Sequence, residues 1–205
     1  EIGKYKVRRK LGQGGIGTVY EAFREDIGKR AAIKVLRPEY ASSPELIKRL
    51  RHEARVVNVI EHPGLVQTFE LGDLSDGSAY FVMEYLQGQT LQERIDAARL
   101  TTEAGARLLL RQVASAMAAA HSQEIIHRDL KPANIMLVKD LEAPGGERVK
   151  VLDFGLAKVA ERHQMPGTDA LFTSTGRGMG TPAYMSLEQI IDSSRVSHKT
   201  DVYAL

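Results

Sequence analysis

Eight consecutive residues concentrate groups that can do chemistry: His127, Arg128, Asp129, Leu130, Lys131, Pro132, Ala133 and Asn134. They supply a carboxylate base, two cations and a neutral oxygen ligand, a set suited to moving a proton beside negative charge and a hard cation. Glu124-Ile125-Ile126 before the octet and Ile135-Met136-Leu137-Val138 after it predict two short buried strands that hold the polar segment at both ends. Pro132 fixes one backbone angle and disfavours helix at Lys131, so an ordered turn is expected there.

Other groups of the same kind recur along the chain. Leu11, Gly12, Gln13, Gly14, Gly15, Ile16, Gly17, Thr18 and Val19 contain the spacing G-x-G-x-x-G, which dinucleotide-binding folds share. A helix opens at that point in a dinucleotide fold, whereas Thr18 to Arg24 is β-branched and aromatic and predicts a strand. The glycines therefore belong to a hairpin, where backbone N–H groups can approach phosphate with no Cβ in the way. Ala31-Ala32-Ile33-Lys34-Val35-Leu36 is an apolar strand carrying one lysine, which is costly in a buried strand unless paired. Its partner is expected on the next helix, with Ser43 as N-cap, Pro44 at the first helical position and Leu46, Leu50, Ala54 and Val57 as the apolar stripe, ending at His62-Pro63-Gly64. Glu53 lies about 60° from Leu50 around that helix and is the acid that can turn inward.

The elements that position these groups follow from periodicity. Val66 to Gly72 and Ala79 to Glu84 read as strands joined by the turn-rich 73–78 segment, completing a small antiparallel sheet. A long helix is predicted from Thr101 or Thr102 to about His121, with Ala106, Leu109, Leu110, Val113, Met117 and Ala120 on one face. A turn over 142–147 leads through Val149 to Leu152 into Asp153-Phe154-Gly155, where Asp153 adds a second carboxylate that could serve as a hard oxygen donor. Residues 156–180 are polar and Gly-rich and predict a loop.

In this order and spacing the motifs resemble those of the eukaryotic-type protein kinases: the octet is similar to H-R-D-L-x-x-x-N, 31–34 to V-A-I-K with Ala31 for the usual valine, and 153–155 to D-F-G. Lys131-Pro132 resembles the serine/threonine branch, and 180–189 the bacterial members. The resemblance implies an α+β, two-lobed fold, with a β-rich N-lobe and hinge over 1–86, a partial helical C-lobe over 87–205 and an activation segment over 153–188. It implies transfer of the ATP γ-phosphoryl group to protein Ser/Thr hydroxyls, with Asp129 as base, Lys131 and the Lys34–Glu53 pair completing the catalytic set, and Asn134 and Asp153 holding Mg2+. ATP contacts are implied for residues 11–19, Ala32, Lys34, Met83 at the back pocket, hinge residues Glu84 and Leu86, and Met136. The resemblance also implies phosphorylation at Thr173 or Thr175, paired with Arg128, a substrate-binding loop around Thr181, and kinase–kinase dimers for autophosphorylation. Leu187 stands where the family normally has proline. Two rivals, a nucleotide-binding scaffold without catalysis and a small-molecule phosphotransferase, are disfavoured by the intact Lys34, Asp129, Asn134 and Asp153 and by Gly180-Thr181-Pro182.

Composition is consistent with this reading. The chain has 205 residues, 43% hydrophobic, with 28 basic and 26 acidic side chains for a formal charge of +2, so charge gives no argument for nucleic acid or an anionic membrane. Without cysteine there is no disulfide framework or thiolate chemistry. Arg107, Arg111 and Gln112 interrupt the most apolar long segment, Ala104 to Ala120, which excludes it as a membrane span. A cytoplasmic location is expected, with any membrane anchor of a longer protein outside this segment. Both ends look cut, at Glu1 and at Val202-Tyr203-Ala204-Leu205. Glu188 resembles a family glutamate that pairs with a later arginine, and none follows Arg195. An unpaired Glu188, bare apolar faces around Leu109, Val113 and Met117, and weak activity are therefore expected of this stretch alone.

Overall fold

Strand β5 (Ala79–Glu84) shows how the first sheet is built. Its side chains alternate, Ala79 and Phe81 joining one apolar cluster and Tyr80 and Val82 another on the opposite face. The sheet has five antiparallel strands in the order β1-β2-β3-β5-β4, with β1 Lys6–Gln13, β2 Gly17–Arg24, β3 Lys29–Leu36 and β4 Thr68–Asp73. The computed structural model describes residues 1–14, 16–41, 44–98, 102–154, 182–192 and 195–205.

A short helix α1 (Pro38–Ala41) precedes α2 (Pro44–Asn58). Leu50 of α2 is fully buried with Ile16, Leu36, Tyr40 and Phe81. The expected N-cap Ser43 lies outside the described residues, as do the side chains of Leu46, Glu53, Ala54 and Val57. The helix ends at Asn58, four residues short of His62, and the Asn58 side-chain oxygen then accepts the Thr68 N–H at 3.1 Å at the start of β4.

Two elements of the second part differ from expectation. A three-stranded antiparallel sheet, β6 (Gly88–Thr90), β7 (Ile135–Lys139) and β8 (Glu147–Val151), accompanies the helices α3 (Leu91–Asp96) and α4 (Glu103–His121). Only the run after the octet is a strand. Glu124 adopts φ 58° and Ile125 donates its N–H back to Ala120 at 3.1 Å, so 124–126 is the turn that ends α4, while Ile125 is still buried. Thr102 caps α4 by accepting the Gly105 N–H at 3.1 Å.

Leu109, Val113, Ala116, Met117 and Ala120 bury one face of α4 against β7 and β8, whereas Leu110 is half-exposed and leaves the predicted stripe. Gln112 closes the free edge of β8, accepting the Val149 N–H at 3.0 Å and donating to the Glu147 carbonyl at 2.9 Å. Leu109, Val113 and Met117 are themselves buried, so the face expected to be bare is covered in part, yet Leu109 and Val113 still line an opening beside it. An apolar groove of about 240 Å³, lined by Leu91, Leu110, Leu137 and Leu205 among others, opens on that side. The two sheets are tied where Val151 donates to the Gly64 carbonyl at 2.8 Å and accepts the Val66 N–H at 3.3 Å. Among the described residues no helix is long and apolar enough to cross a membrane.

Candidate active site

The octet is held from below by one carboxylate. Asp201 opens the apolar end of α6 (His198–Tyr203) and is 1% exposed. It accepts the main-chain N–H groups of His127 at 2.8 Å and Arg128 at 2.9 Å, and lies 2.8 Å from His121 Nε2. Arg128 sits at φ 66°, a left-handed conformation that costs a non-glycine residue and persists only where neighbours enforce it. Gln189 of α5 (Leu187–Ile191) adds a third restraint by donating to the Arg128 carbonyl at 2.7 Å. Sequence reasoning gave Asp201 no role in the site. The donors it accepts from lie 74 and 73 residues away on the main chain, where residue type leaves no signal.

His127 is completely buried. Its Nδ1 accepts the Asp129 N–H at 3.2 Å, so the ring proton sits on Nε2 and is donated to the Leu152 carbonyl at 2.7 Å. Burial pushes the imidazole below its ordinary pKa, against the opposing pull of Asp201, Leu152, Asp129 and Asp153, and the ring is neutral. The Phe154 ring packs 4.8 Å from it, centroid to centroid. The histidine thus ties the octet to the residues that carry Asp153.

Lys131 is extended, at φ −164° and ψ 161°, and Pro132–Asn134 form a single tight turn, as Pro132 requires. Extension brings Lys131 Nζ to 2.9 Å from Asp129 Oδ2. The Asn134 amide donates to that same oxygen at 3.0 Å and to the Asp129 carbonyl at 2.8 Å. Oδ2 is therefore held twice, and no described group bonds Oδ1. Asn134 spends its N–H groups on Asp129, so its side-chain oxygen keeps its capacity to accept from another group. Its carbonyl accepts the Leu152 N–H at 2.9 Å, fixing the spacing from the octet to Asp153.

Lys34 on β3 is 5% exposed and its Nζ lies 2.6 Å from Asp153 Oδ1. Crowding by protein pushes the Asp153 carboxyl up, but the charge and hydrogen bond of Lys34, with His127 and Lys131 behind them, win and hold it below the usual range. About 39% of the Asp153 side chain remains open to solvent, so the carboxylate can still meet a ligand. Asp153 also takes a left-handed backbone, φ 51°. The ion pair of Lys34 is thus with Asp153, and the side chain of the expected partner, Glu53, lies outside the described residues.

The glycine turn separates two kinds of glycine. A Cβ on Gly17 would meet the Val35 carbonyl oxygen at 2.3 Å, so this glycine is required by strand packing. A Cβ on Gly12 or Gly14 would meet nothing within 4 Å. Those two leave room that the protein's own packing does not use. Ile16, expected at the nucleotide, is buried against Leu36, Tyr40, Leu50 and Phe81 instead. Arg37 fixes the turn by donating its main-chain N–H to Ile16 at 2.9 Å and its guanidinium to the Gly14 carbonyl at 3.1 Å.

At the end of β5, Met83 faces Ala32 across the β3–β5 pairing. The Glu84 carboxylate turns away to Lys150 Nζ at 2.6 Å and the Gln67 N–H at 3.0 Å, joining the two sheets behind the site. Leu86 and Met136 are half-buried and Leu11 is exposed. As expected, no cation pairs with Glu188 among the described residues, but its carboxylate is not bare, since it accepts the Thr200 hydroxyl at 2.8 Å. Its own N–H, Thr200 and Ser186 hold its carboxyl below the usual range. Gly15, Thr173, Thr175 and Thr181, with most of the 153–188 segment, lie outside the described residues.

Over residues 5–205 the chain matches the family described as protein kinase domain, and it belongs to that family. It is 42% identical over 205 residues to the serine/threonine-protein kinase Pkn1 of Myxococcus xanthus, covering 99% of this chain and 28% of that protein. It is 36% identical over 203 residues to the serine/threonine-protein kinase PrkC of Bacillus subtilis (strain 168), covering 99% of this chain and 29% of that one. The crystal structure of the Mycobacterium tuberculosis PknI kinase domain aligns with TM-score 0.68 at 26% identity, over 98% of this chain and 70% of that chain. The chain thus spans under a third of these curated relatives, which are bacterial as the 180–189 segment led us to expect.

Proposed function

We propose that this chain is the catalytic part of an ATP-dependent serine/threonine protein kinase, with lobes over 1–86 and 87–205 and an activation segment over 153–188. One observation carries the reading: Asp129 has one carboxylate oxygen held by Lys131 and Asn134 while the other is bonded by no described group, and the buried His127 links the same loop to the lysine–aspartate pair of Lys34 and Asp153. That is how a base is oriented toward an acceptor hydroxyl.

In this reading Oδ1 of Asp129 takes the proton of a serine or threonine hydroxyl. The hydroxyl oxygen bonds to the γ-phosphorus, the bond from that phosphorus to the β–γ bridging oxygen breaks, and ADP leaves with the electron pair. Lys131, already on Asp129 Oδ2, also lies where it can balance charge on the γ-phosphoryl oxygens. Lys34 leaves Asp153 for the α- and β-phosphates, and backbone N–H groups of the glycine turn approach them over the empty space at Gly12 and Gly14. Asp153 and the free oxygen of Asn134 fit magnesium, because both are hard oxygen ligands and the phosphates and water complete the set. Bound there, the ion would neutralise phosphate charge. Ala32, Met83, Glu84, Leu86 and Met136 would border adenine, the hinge through its main chain because the Glu84 carboxylate is engaged elsewhere. Protein substrates are the acceptors, and Thr173 and Thr175 are the candidate sites of phosphorylation between two copies.

Transfer of label from [γ-32P]ATP to a protein acceptor, compared with aminoglycoside and sugar acceptors, tests this. Asp129→Asn should lower transfer by about 10²- to 10⁴-fold while nucleotide affinity stays near that of the parent. Label passing only to small molecules, or an Asp129→Asn chain of parental turnover, would refute it.

A further inference from the structure

Glu21 is a buried carboxylate that is not among the groups assigned to phosphoryl transfer. It sits on β2 with Arg9 opposite it on β1 and Ala32 opposite it on β3. Its Oε2 accepts Arg9 Nε at 2.8 Å, and its Oε1 lies 4.0 Å from Arg30 Nη1 of β3. A carboxylate only 6% exposed depends on such counter-charges, whereas the two arginines keep much of their side chains in water. A fourth residue joins the cluster from outside the three strands. The Tyr85 hydroxyl accepts from Arg9 Nη2 at 3.3 Å and donates to Glu21 Oε2 at 3.4 Å, both long bonds, and the Arg30 guanidinium lies 5.2 Å from the centre of the Tyr85 ring.

The place of Tyr85 in the chain gives this hold a purpose. The β3–β5 ladder ends at the pairing of Ala31 with Glu84, so it does not reach the next residue. Tyr85 stands between Glu84 and Leu86, whose main chain borders adenine in the proposed function, and Ala32, which borders adenine from the sheet, is the cross-strand neighbour of Glu21. We infer, on the reading of this chain as an ATP-dependent kinase, that Glu21 is a positioning residue for adenine. By fixing Arg9 at the Tyr85 hydroxyl and Arg30 over its ring, it sets the gap between the 84–86 main chain and Ala32. A slot already held at the width of a flat ring binds without first having to order its walls, and a slackened one binds more weakly.

Displacement of a fluorescent ATP from the full chain by adenosine and, separately, by magnesium tripolyphosphate reads the adenine and phosphate ends apart. Glu21→Ala and Tyr85→Ala should each weaken adenosine by about fivefold or more and leave tripolyphosphate within about twofold. The double variant should lose little more than either alone, because the two side chains act as one unit. Glu21→Gln, which keeps the shape without the charge, should weaken adenosine too, and Tyr85→Phe, which keeps the ring against Arg30, should lose less than Tyr85→Ala. If Glu21→Ala does not melt as the parent does, Tyr85→Ala and Arg30→Ala, the latter at a side chain 43% exposed, decide the matter by the same loss of adenosine. Unchanged adenosine affinity in these variants, equal losses for the two ligands, or additive losses in the double variant would overturn the inference and leave the kinase reading in place. A parent chain that binds neither adenosine nor ATP would overturn that reading, and the inference with it.

Discussion

Lys34 and Asp153, 119 residues apart, form an ion pair at 2.6 Å in which the lysine is buried and the carboxylate is partly open. The asymmetry has an energetic consequence. An ammonium 5% exposed depends on its counter-charge, whereas Asp153 retains water. Asp153→Asn keeps the shape and removes the charge. It is expected to destabilise the fold by about 1–2 kcal/mol, below the 3 to 5 of a fully buried broken pair because solvent screens the open side. Urea denaturation measures this, and magnesium-dependent nucleotide binding should fall in the same variant. A parental midpoint would mean that Lys34 finds another partner.

Asp201 makes a stronger prediction, because nothing about it is exposed. Asp201→Ala strands the N–H groups of His127 and Arg128 and removes the contact with His121. Hydrogen bonds to a charged group contribute about 1.5–3 kcal/mol each, and buried donors left without acceptors cost further. A loss of about 3 kcal/mol or more is expected, with faster amide exchange at His127 and Arg128. His121→Ala, which leaves both main-chain bonds in place, should cost less than half of that. Equal losses in the two variants would place the weight on the histidine instead.

These two cases show what the sequence made legible. The octet, the lysine strand, the glycine hairpin and Asp153 were readable because residue type and spacing carry them, and the fold brings Asp129, Lys131 and Asn134 together as expected. Strands β2, β3 and β5 were readable from β-branched, aromatic and apolar runs bounded by turn residues, and β4 likewise, although it starts at Thr68 and not at Val66. Asp201 was not, since a buried aspartate on main-chain donors looks the same in sequence as a surface acid near a helix N-terminus. Glu84 illustrates the same limit: its place at the end of β5 was clear, yet the direction of its carboxylate depends on Lys150, 66 residues later. The strand β6 was missed because three residues, Gly88 to Thr90, carry too short a pattern, and β7 alone gives them a partner.

The glycine turn separates folding from binding in one pair of variants. Gly17→Ala places a methyl group 2.3 Å from the Val35 carbonyl oxygen, a backbone atom that cannot move without opening the β2–β3 pairing. A loss of about 1–3 kcal/mol is expected, the usual cost of overpacking. Gly14→Ala meets open space and should leave stability within about 0.5 kcal/mol while weakening nucleotide binding. Thermal melts with and without nucleotide read both effects. If Gly14→Ala destabilises the unliganded chain as much as Gly17→Ala does, the space at Gly14 is not reserved for a ligand.

His127 gives the pH dependence its sign. Its folded pKa is pushed below the ordinary 6.5 chiefly by burial, so on acidification the unfolded chain takes up a proton that the folded chain refuses. Stability is therefore complete above about pH 6.5 and falls as pH drops from that value toward the depressed folded pKa, by at most about 1.4 kcal/mol per pH unit for one group. His62, also held below its ordinary value by burial and then by Arg148 and Lys150, adds a contribution of the same sign. Urea midpoints between pH 7.5 and 5 should slope downward in the parent, lose most of that slope in His127→Phe, which keeps a ring against Phe154, and lose less in His62→Gln. The lower baseline of His127→Phe from its lost bonds to Asp129 and Leu152 does not affect the comparison, because the slope alone reports the titration. Parallel decline of the parent and His127→Phe through this range would show that the buried imidazole is not the group whose protonation opens the fold.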